Sequence, residues 1–403
     1  MSRHLPRGGI KHVSQSQKLA VIGPLCRNAT FGKSGIHRHV IVAPLLLSGH
    51  HRFASTSTIR QTSLATGSAF VNPLRSTRPP PLDLPERGKD DSSIVYWFRI
   101  GRAYGRFYWA GVKATWGNFK EARALARRMQ AELSEQNRSP MAKVGAMSTE
   151  DARALGYRMA MCKQAVDRGI ISRADFQLLH RNDHDMNKLP LFALLVVVFG
   201  EWLPLIVPFI PGAVPGTCRI PTQVRGMWEK AEKRRRDAFR QGVAPPLVAD
   251  VEQPNEKLPE GTKYKPTISA PRLASLTRSM NTPQLLHISS SLGLHRRLWD
   301  LLQVPPPTFL LRPRIMDKIL YITLDDALLS RSKSIGSLED EEVSTACEER
   351  GVDVLGKGMQ KQREELQRWV ENDARDGFQG RAIVQMLFAR PNAWRVNAHN
   401  PEK

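Results

Sequence analysis

The chain has 403 residues, of which 24% are charged and 41% hydrophobic, with 4 cysteines and a formal net charge of +22. That length leaves room for two or three domains, and cysteines without a CxxC pair argue against a disulfide scaffold or a zinc site. The charge points to a nucleic-acid partner until it is located: residues 1–82 hold eleven Lys and Arg and no Asp or Glu.

An acid-free start rich in Ser, Thr and His has the composition of a mitochondrial transit peptide. His51-Arg52-Phe53-Ala54-Ser55-Thr56 reads as its processing site, so residues 1–53 are expected to be removed. A disordered nucleic-acid-binding tail is the alternative. Residues 54–93 include Pro79-Pro80-Pro81 and predict a flexible tether.

Between residues 94 and 116 aromatic side chains alternate with Arg99, Arg102, Arg106 and Lys113. This mixture suits a membrane interface, where rings sit at headgroup depth and long cations snorkel; it also suits stacking on single-stranded nucleic acid. Residues 118–137 predict an amphipathic helix, and Ser148 with Asp151 and Ser172 with Asp175 are N-cap patterns for two more. His180 and His184 have the spacing of metal ligands on a helix, but nothing nearby completes a zinc shell. Residues 94–188 therefore form helices that precede the membrane.

The stretch Leu189–Ile210 has 22 residues with Glu201 as its only charge. As a helix it would be about 33 Å long, enough for a hydrocarbon core of about 30 Å. Residues 172–188 carry three basic and three acidic groups, whereas 219–240 carry eight and three. That imbalance places the C-terminal side on the negative, matrix face. Pro190, Pro204, Pro208 and Pro211 leave open whether one kinked helix or two half-helices span, and a buried hairpin of a soluble domain is the alternative.

Glu201 is the candidate ion-pathway residue. An ionised carboxylate at mid-bilayer costs about 2.5–3.5 kcal/mol, so it must be protonated, paired or wet. Pro204 and Pro208 free backbone carbonyls that can coordinate a cation, which suggests proton–cation coupling in a homo-oligomer. A protonated glutamic acid bonded to a neighbouring helix is the competing reading.

After the span, residues 211–271 read as a basic juxtamembrane stretch and a proline-rich linker. Lys230, Lys233, Arg234, Arg235 and Arg236 are candidates for contact with anionic lipid or with RNA phosphates. Helical periodicity returns over 272–385, before a tail at 386–403. Here a helix stopped by glycine and followed by a second helix occurs twice, around Gly293 and Gly351, which predicts one small all-helical domain. No acid–base pair, phosphate loop or dinucleotide loop is present, so neither catalysis nor a cofactor is expected.

This order of features resembles the LETM family of mitochondrial inner-membrane proteins. The residues that carry the resemblance are Ile171-Ser172-Arg173 and Asp185-Met186-Asn187-Lys188-Leu189-Pro190, then Glu201-Trp202-Leu203 and Val214-Pro215-Gly216-Thr217. Further on they are Thr282-Pro283-Gln284-Leu285, Asp325-Asp326, Leu338…Glu342-Val343…Ala346-Cys347…Arg350-Gly351-Val352 and Trp369-Val370. The resemblance implies an all-α, membrane-anchored chain with a 14-3-3-like matrix domain that binds mitochondrial ribosomes. It also implies a link to potassium/proton exchange and to inner-membrane protein insertion. No EF-hand is present, so calcium sensing is not implied. Each helix–glycine–helix unit also resembles a DNA-binding SAP motif, but the second copy is strongly acidic.

Overall fold

The computed structural model describes residues 68–88, 92–138, 155–200, 207, 210–247, 264, 266–332 and 335–394. The expected transit peptide, the Ser148–Asp151 cap, and Glu201, Pro204 and Pro208 lie outside these residues. Among the described residues every regular element is helical. In chain order we label them α1 (Ser68–Val71), α2 (Ser93–Arg138), α3 (Tyr157–Asp167), α4 (Arg173–Phe199), α5 (Pro221–Arg240) and α6 (Ala270–Arg278). They continue as α7 (Thr282–Ser291), α8 (Arg297–Leu301), α9 (Thr308–Ser332), α10 (Asp340–Glu349), α11 (Met359–Arg375) and α12 (Arg381–Leu387).

The two helical stretches expected over 94–137 form one helix, α2, 46 residues long. Its inward face follows the helical repeat: Ala103, Phe107, Thr115, Ala122, Leu125, Met129 and Leu133 are all buried. Spacings of three, four, seven and eight put these side chains in one stripe. The cap expected at Ser172 is present in full. Asp175 N–H donates to the Ser172 hydroxyl at 3.2 Å, and the Asp175 carboxylate accepts from Ser172 N–H at 3.1 Å.

Both glycine-stopped helices are also present. Leu294 N–H bonds Ser289 O at 2.8 Å and Val352 N–H bonds Cys347 O at 2.9 Å, with Gly293 and Gly351 at φ +65° and +78°. This is the Schellman arrangement, in which a left-handed residue turns the chain back onto the last carbonyls.

Two expectations of organisation are corrected. Residues 68–88 are not a free tether: Val71 is buried, Asn72 donates to Ser337 O at 2.8 Å, and Arg78 bonds Glu342 at 3.0 Å. Nor do residues 94–188 and 272–385 stand apart. Met129, Leu133, Val166 and Phe176 share one apolar cluster with Leu285, Ile319, Val343, Trp369 and Val384. The basic stretch expected to flank a membrane is the helix α5, which packs on α7.

A buried ionic centre runs through this core. Arg173 of α4 and Arg350, just past α10, both bond the Asp325 carboxylate of α9, at 2.8 and 2.7 Å. Arg350 also bonds Asp326 at 2.6 Å, and Trp369 Nε1–H of α11 donates to Asp326 at 2.8 Å. Nearby, Arg181 forks onto Glu342 with two bonds of 2.8 Å. Buried ion pairs add little net stability, but removing one partner strands a charge. The centre therefore fixes how α4, α9, α10 and α11 are arranged.

Candidate functional site

Three surfaces stand out among the described residues. No group of three His, Cys, Asp or Glu among them could hold a metal ion. His180 instead stacks on Tyr321 with ring centroids 4.0 Å apart, and burial pushes its pKa down to about 4. It is a neutral packing residue.

The first surface is an arm made by the N-terminal half of α2 and the C-terminal half of α4. Phe107 and Tyr108 of α2 pack against Phe192 of α4, and Val207, Val214, Cys218 and Ile220 complete this second cluster. Because the C-terminal half of α2 meets the start of α4 in the main core, the two helices run antiparallel. Beyond the cluster the apolar side chains face outward: Ile94 is 82% exposed, Phe98 72% and Val197 81%.

The segment after α4 returns to the same place. α4 stops at Gly200, which has φ +46°. Val207 O then accepts from Gln223 Nε2–H at 2.8 Å, Gly216 N–H donates to Asp185 Oδ1 at 2.6 Å, and the Thr115 and Thr217 hydroxyls bond at 2.6 Å. Gly111 allows this approach: a Cβ there would lie 2.7 Å from both Cys218 Sγ and Thr217 O. No helix among the described residues is long and apolar enough to cross a membrane. The expected span of 189–210 is thus not one helix, because α4 ends eleven residues into it and Val207 packs back beside Phe192.

The second surface lies on α8 and the start of α9. Leu298, Leu301, Leu302, Val304 and Phe309 are all exposed, and Leu301 reaches 78%. Arg296, Arg297 and Arg314 are exposed among them. A patch of large apolar groups ringed by arginine is the usual composition of a partner site.

The third surface is the basic run on α5, which is divided. Lys230 and Lys233 are exposed. Arg234 instead bonds Asp300 of α8 at 3.0 Å and donates to His295 O at 3.3 Å. Arg235 is buried, held by Glu232 at 2.7 Å and Ser291 O at 3.1 Å, and Arg236 bonds Glu232 at 2.9 Å and Asp353 at 3.3 Å. Three of the five expected phosphate contacts therefore hold α5 against the helical domain, and Arg234 braces α8 itself. The α8–α9 patch was not singled out in the sequence, where residues 272–385 show only helical periodicity.

Two family models match the chain. Residues 89–276 match the PNT1 pentamidine resistance factor domain, and residues 269–381 match the LETM1-like ribosome-binding domain. No curated protein and no solved structure matches. The two matched regions meet within α6, yet Arg173 and Arg181 from the first are bound to Asp325 and Glu342 of the second.

Proposed function

Because this chain belongs to the LETM family through its LETM1-like ribosome-binding domain, we propose that it holds mitochondrial ribosomes at the matrix face of the inner membrane. The observation that carries the reading is the match over 269–381, which includes the exposed apolar and arginine-rich patch of α8 and α9. Arginine suits both ribosomal protein and RNA, since its planar fork bonds carboxylate and phosphate alike. Lys230 and Lys233 add mobile positive charge on α5. Ribosomes held at a membrane would deliver nascent chains where they are inserted.

The test is co-sedimentation with mitochondrial ribosomes over a salt series. Arg297→Glu with Arg314→Glu should weaken binding and flatten its salt dependence, because each lost phosphate contact removes released counterions. Unchanged binding in a folded double variant would remove α8 and α9 from the interface.

The finer part of the proposal is a contribution to potassium/proton exchange through Glu201, with Pro204 and Pro208 beside it. Glu201→Gln in proteoliposomes should abolish exchange, and unaltered exchange would leave Glu201 a packing residue. DNA binding of the SAP kind finds no support. Asp340, Glu341 and Glu342 open α10, and Arg350 beyond it is fully buried on the two aspartates.

A further inference from the structure

We propose that one exposed face of α2 lies flat on the surface of an anionic phospholipid bilayer, with its cations among the headgroup phosphates. This rests on the membrane reading above and names the protein surface and the lipid chemistry that meet.

The face is set by the helical repeat. Arg102, Arg106, Lys113, Lys120, Arg123 and Arg127 are all exposed. At about 100° per residue, each lies within about 60° of Trp109 around the helix. Phe98 and Trp116 fall in the same sector, and like Trp109 they are more than half exposed. The other aromatic groups of this stretch are used differently, since Phe107 and Tyr108 are buried in the cluster around Phe192. From Phe98 to Arg127 the exposed stripe runs about 44 Å.

The first support is charge. Among the described residues no ion pair involves any of these six cations, and no acid occurs between Asp91 and Glu121. Glu121 itself lies about 120° around the helix from Trp109. On α5 the cations are used inward instead: Arg234, Arg235 and Arg236 each bond a carboxylate. A long row of unpaired cations fits a partner whose negative charge is spread over a plane.

The second support is the company those cations keep, which selects lipid over nucleic acid. Trp109 and Trp116 stand about 10.5 Å apart along the axis, whereas successive bases of a strand rise about 3.4 Å. Each ring also has a neighbour already. Lys113 Nζ is 5.8 Å from the Trp109 centroid, and the Phe119 ring is 5.5 Å from that of Trp116. At the start of the same face Ile94 and Val95 are exposed, and aliphatic groups have no use on a phosphate backbone. A bilayer surface accommodates all three kinds: tryptophan at headgroup depth, aliphatic groups at the acyl margin, and long cations at the phosphates. A second copy would set two cation rows face to face, which repulsion disfavours.

The test uses the full chain with Cys26→Ser and one added cysteine that carries an environment-sensitive fluorophore. Gly105→Cys places the label in the stripe, where nothing lies within 4 Å of the new Cβ. Leu301→Cys on α8 is the control. Burial pushes the thiols of Cys162, Cys218 and Cys347 up to about 12, so they label poorly. On vesicles of phosphatidylcholine and phosphatidylglycerol the label at 105 should shift to the blue, and the label at 301 should not. Nitroxides on the headgroups should quench it more than nitroxides at the bilayer centre. Each cation at an anionic surface strengthens binding about fivefold. Arg102→Gln, Lys113→Gln and Lys120→Gln together should therefore raise the lipid needed for half the shift about 100-fold. Urea unfolding followed by tryptophan fluorescence checks that this variant is folded. An unshifted label, an unaffected triple variant, an equal shift on phosphatidylcholine alone, or stronger quenching from the bilayer centre would overturn the proposal. A shift with single-stranded RNA but not with vesicles would assign the face to nucleic acid, and an unshifted label on a dimer in gel filtration would assign it to a second copy. Ribosome co-sedimentation without vesicles reports the other reading separately, so loss of either result leaves the other standing.

Discussion

Asp325 and Asp326 are neighbours in sequence and both fully buried, yet their carboxyl groups are driven in opposite directions. Burial raises Asp325, but Arg173 and Arg350 outweigh it and hold the group far below the carboxylate range. Burial raises Asp326 to about 6, with the Asp325 charge adding to it and Arg350 offsetting only part. Asp325 thus contributes stability that is present above its unfolded pKa and lost as pH falls, whereas Asp326 contributes stability lost as pH rises toward about 6. Arg350→Met would leave Asp326 without its cation and Asp325 with one. It should cost about 3–5 kcal/mol, read from urea unfolding; a loss under 1 kcal/mol would mean the centre relaxes around the gap. Asp373 faces the same region, is buried, and has no partner for either carboxylate oxygen. Burial and then the Asp326 charge push its carboxyl well up from the ordinary carboxylate range, which favours the protonated form in the native state. Asp373→Asn should therefore stabilise the protein at neutral pH, by an amount that shrinks toward zero as pH falls to about 4. A gain independent of pH would contradict this protonation state.

Among the elements, α2 and the return segment depend on one glycine. Gly111→Ala would set a Cβ 2.7 Å from Thr217 O, a backbone atom that cannot swing aside. We expect the 214–218 segment to lift off α2 and expose the Cys218 thiol, measured as faster reaction with a thiol reagent. Gly105→Ala, with nothing within 4 Å of its Cβ, is the control; it should stabilise α2 by about 0.5–1 kcal/mol without exposing Cys218. Equal thiol reactivity in the two variants would contradict the close packing. The helices themselves were legible, because caps such as Ser172 and glycine stops such as Gly351 act through neighbours in sequence. What was not legible was which partner each face meets. Leu191–Phe199 reads as one apolar run, but only the tertiary contacts of Phe192 and Val207 show that it turns back. Arg234–Arg236 read as a free charge cluster, and only the positions of Asp300, Glu232 and Asp353 show them used inward. Local pattern specifies a helix, whereas the use of its faces depends largely on residues distant in sequence, as with Arg234 and His295, 61 apart.

At the scale of the molecule, the two matched regions do not behave as two bodies. Thr62–Lys403 forms one compact unit, and the Arg173–Asp325 and Arg181–Glu342 pairs cross from one match to the other. The sequence contains both halves of this joint, since Arg173 and Asp325-Asp326 belong to the motifs that carry the family resemblance. Their separation of 152 positions hides that they are partners. A shared core requires the regions to unfold together. Chemical denaturation should give coincident transitions for the fluorescence of Trp369, near the ionic centre, and for a label on α2, whereas two separated midpoints would indicate independent domains. The shared core also fixes the α8–α9 patch relative to the apolar arm, as the proposed tether between ribosome and membrane requires. The most direct measurement is flotation of mitochondrial ribosomes with phosphatidylcholine–phosphatidylglycerol vesicles carrying the full chain. Ribosomes should rise with the vesicles, and sink when Arg297 and Arg314 are both replaced by glutamate. Ribosomes that bind the free chain but stay behind when it is on vesicles would contradict a tether between the two.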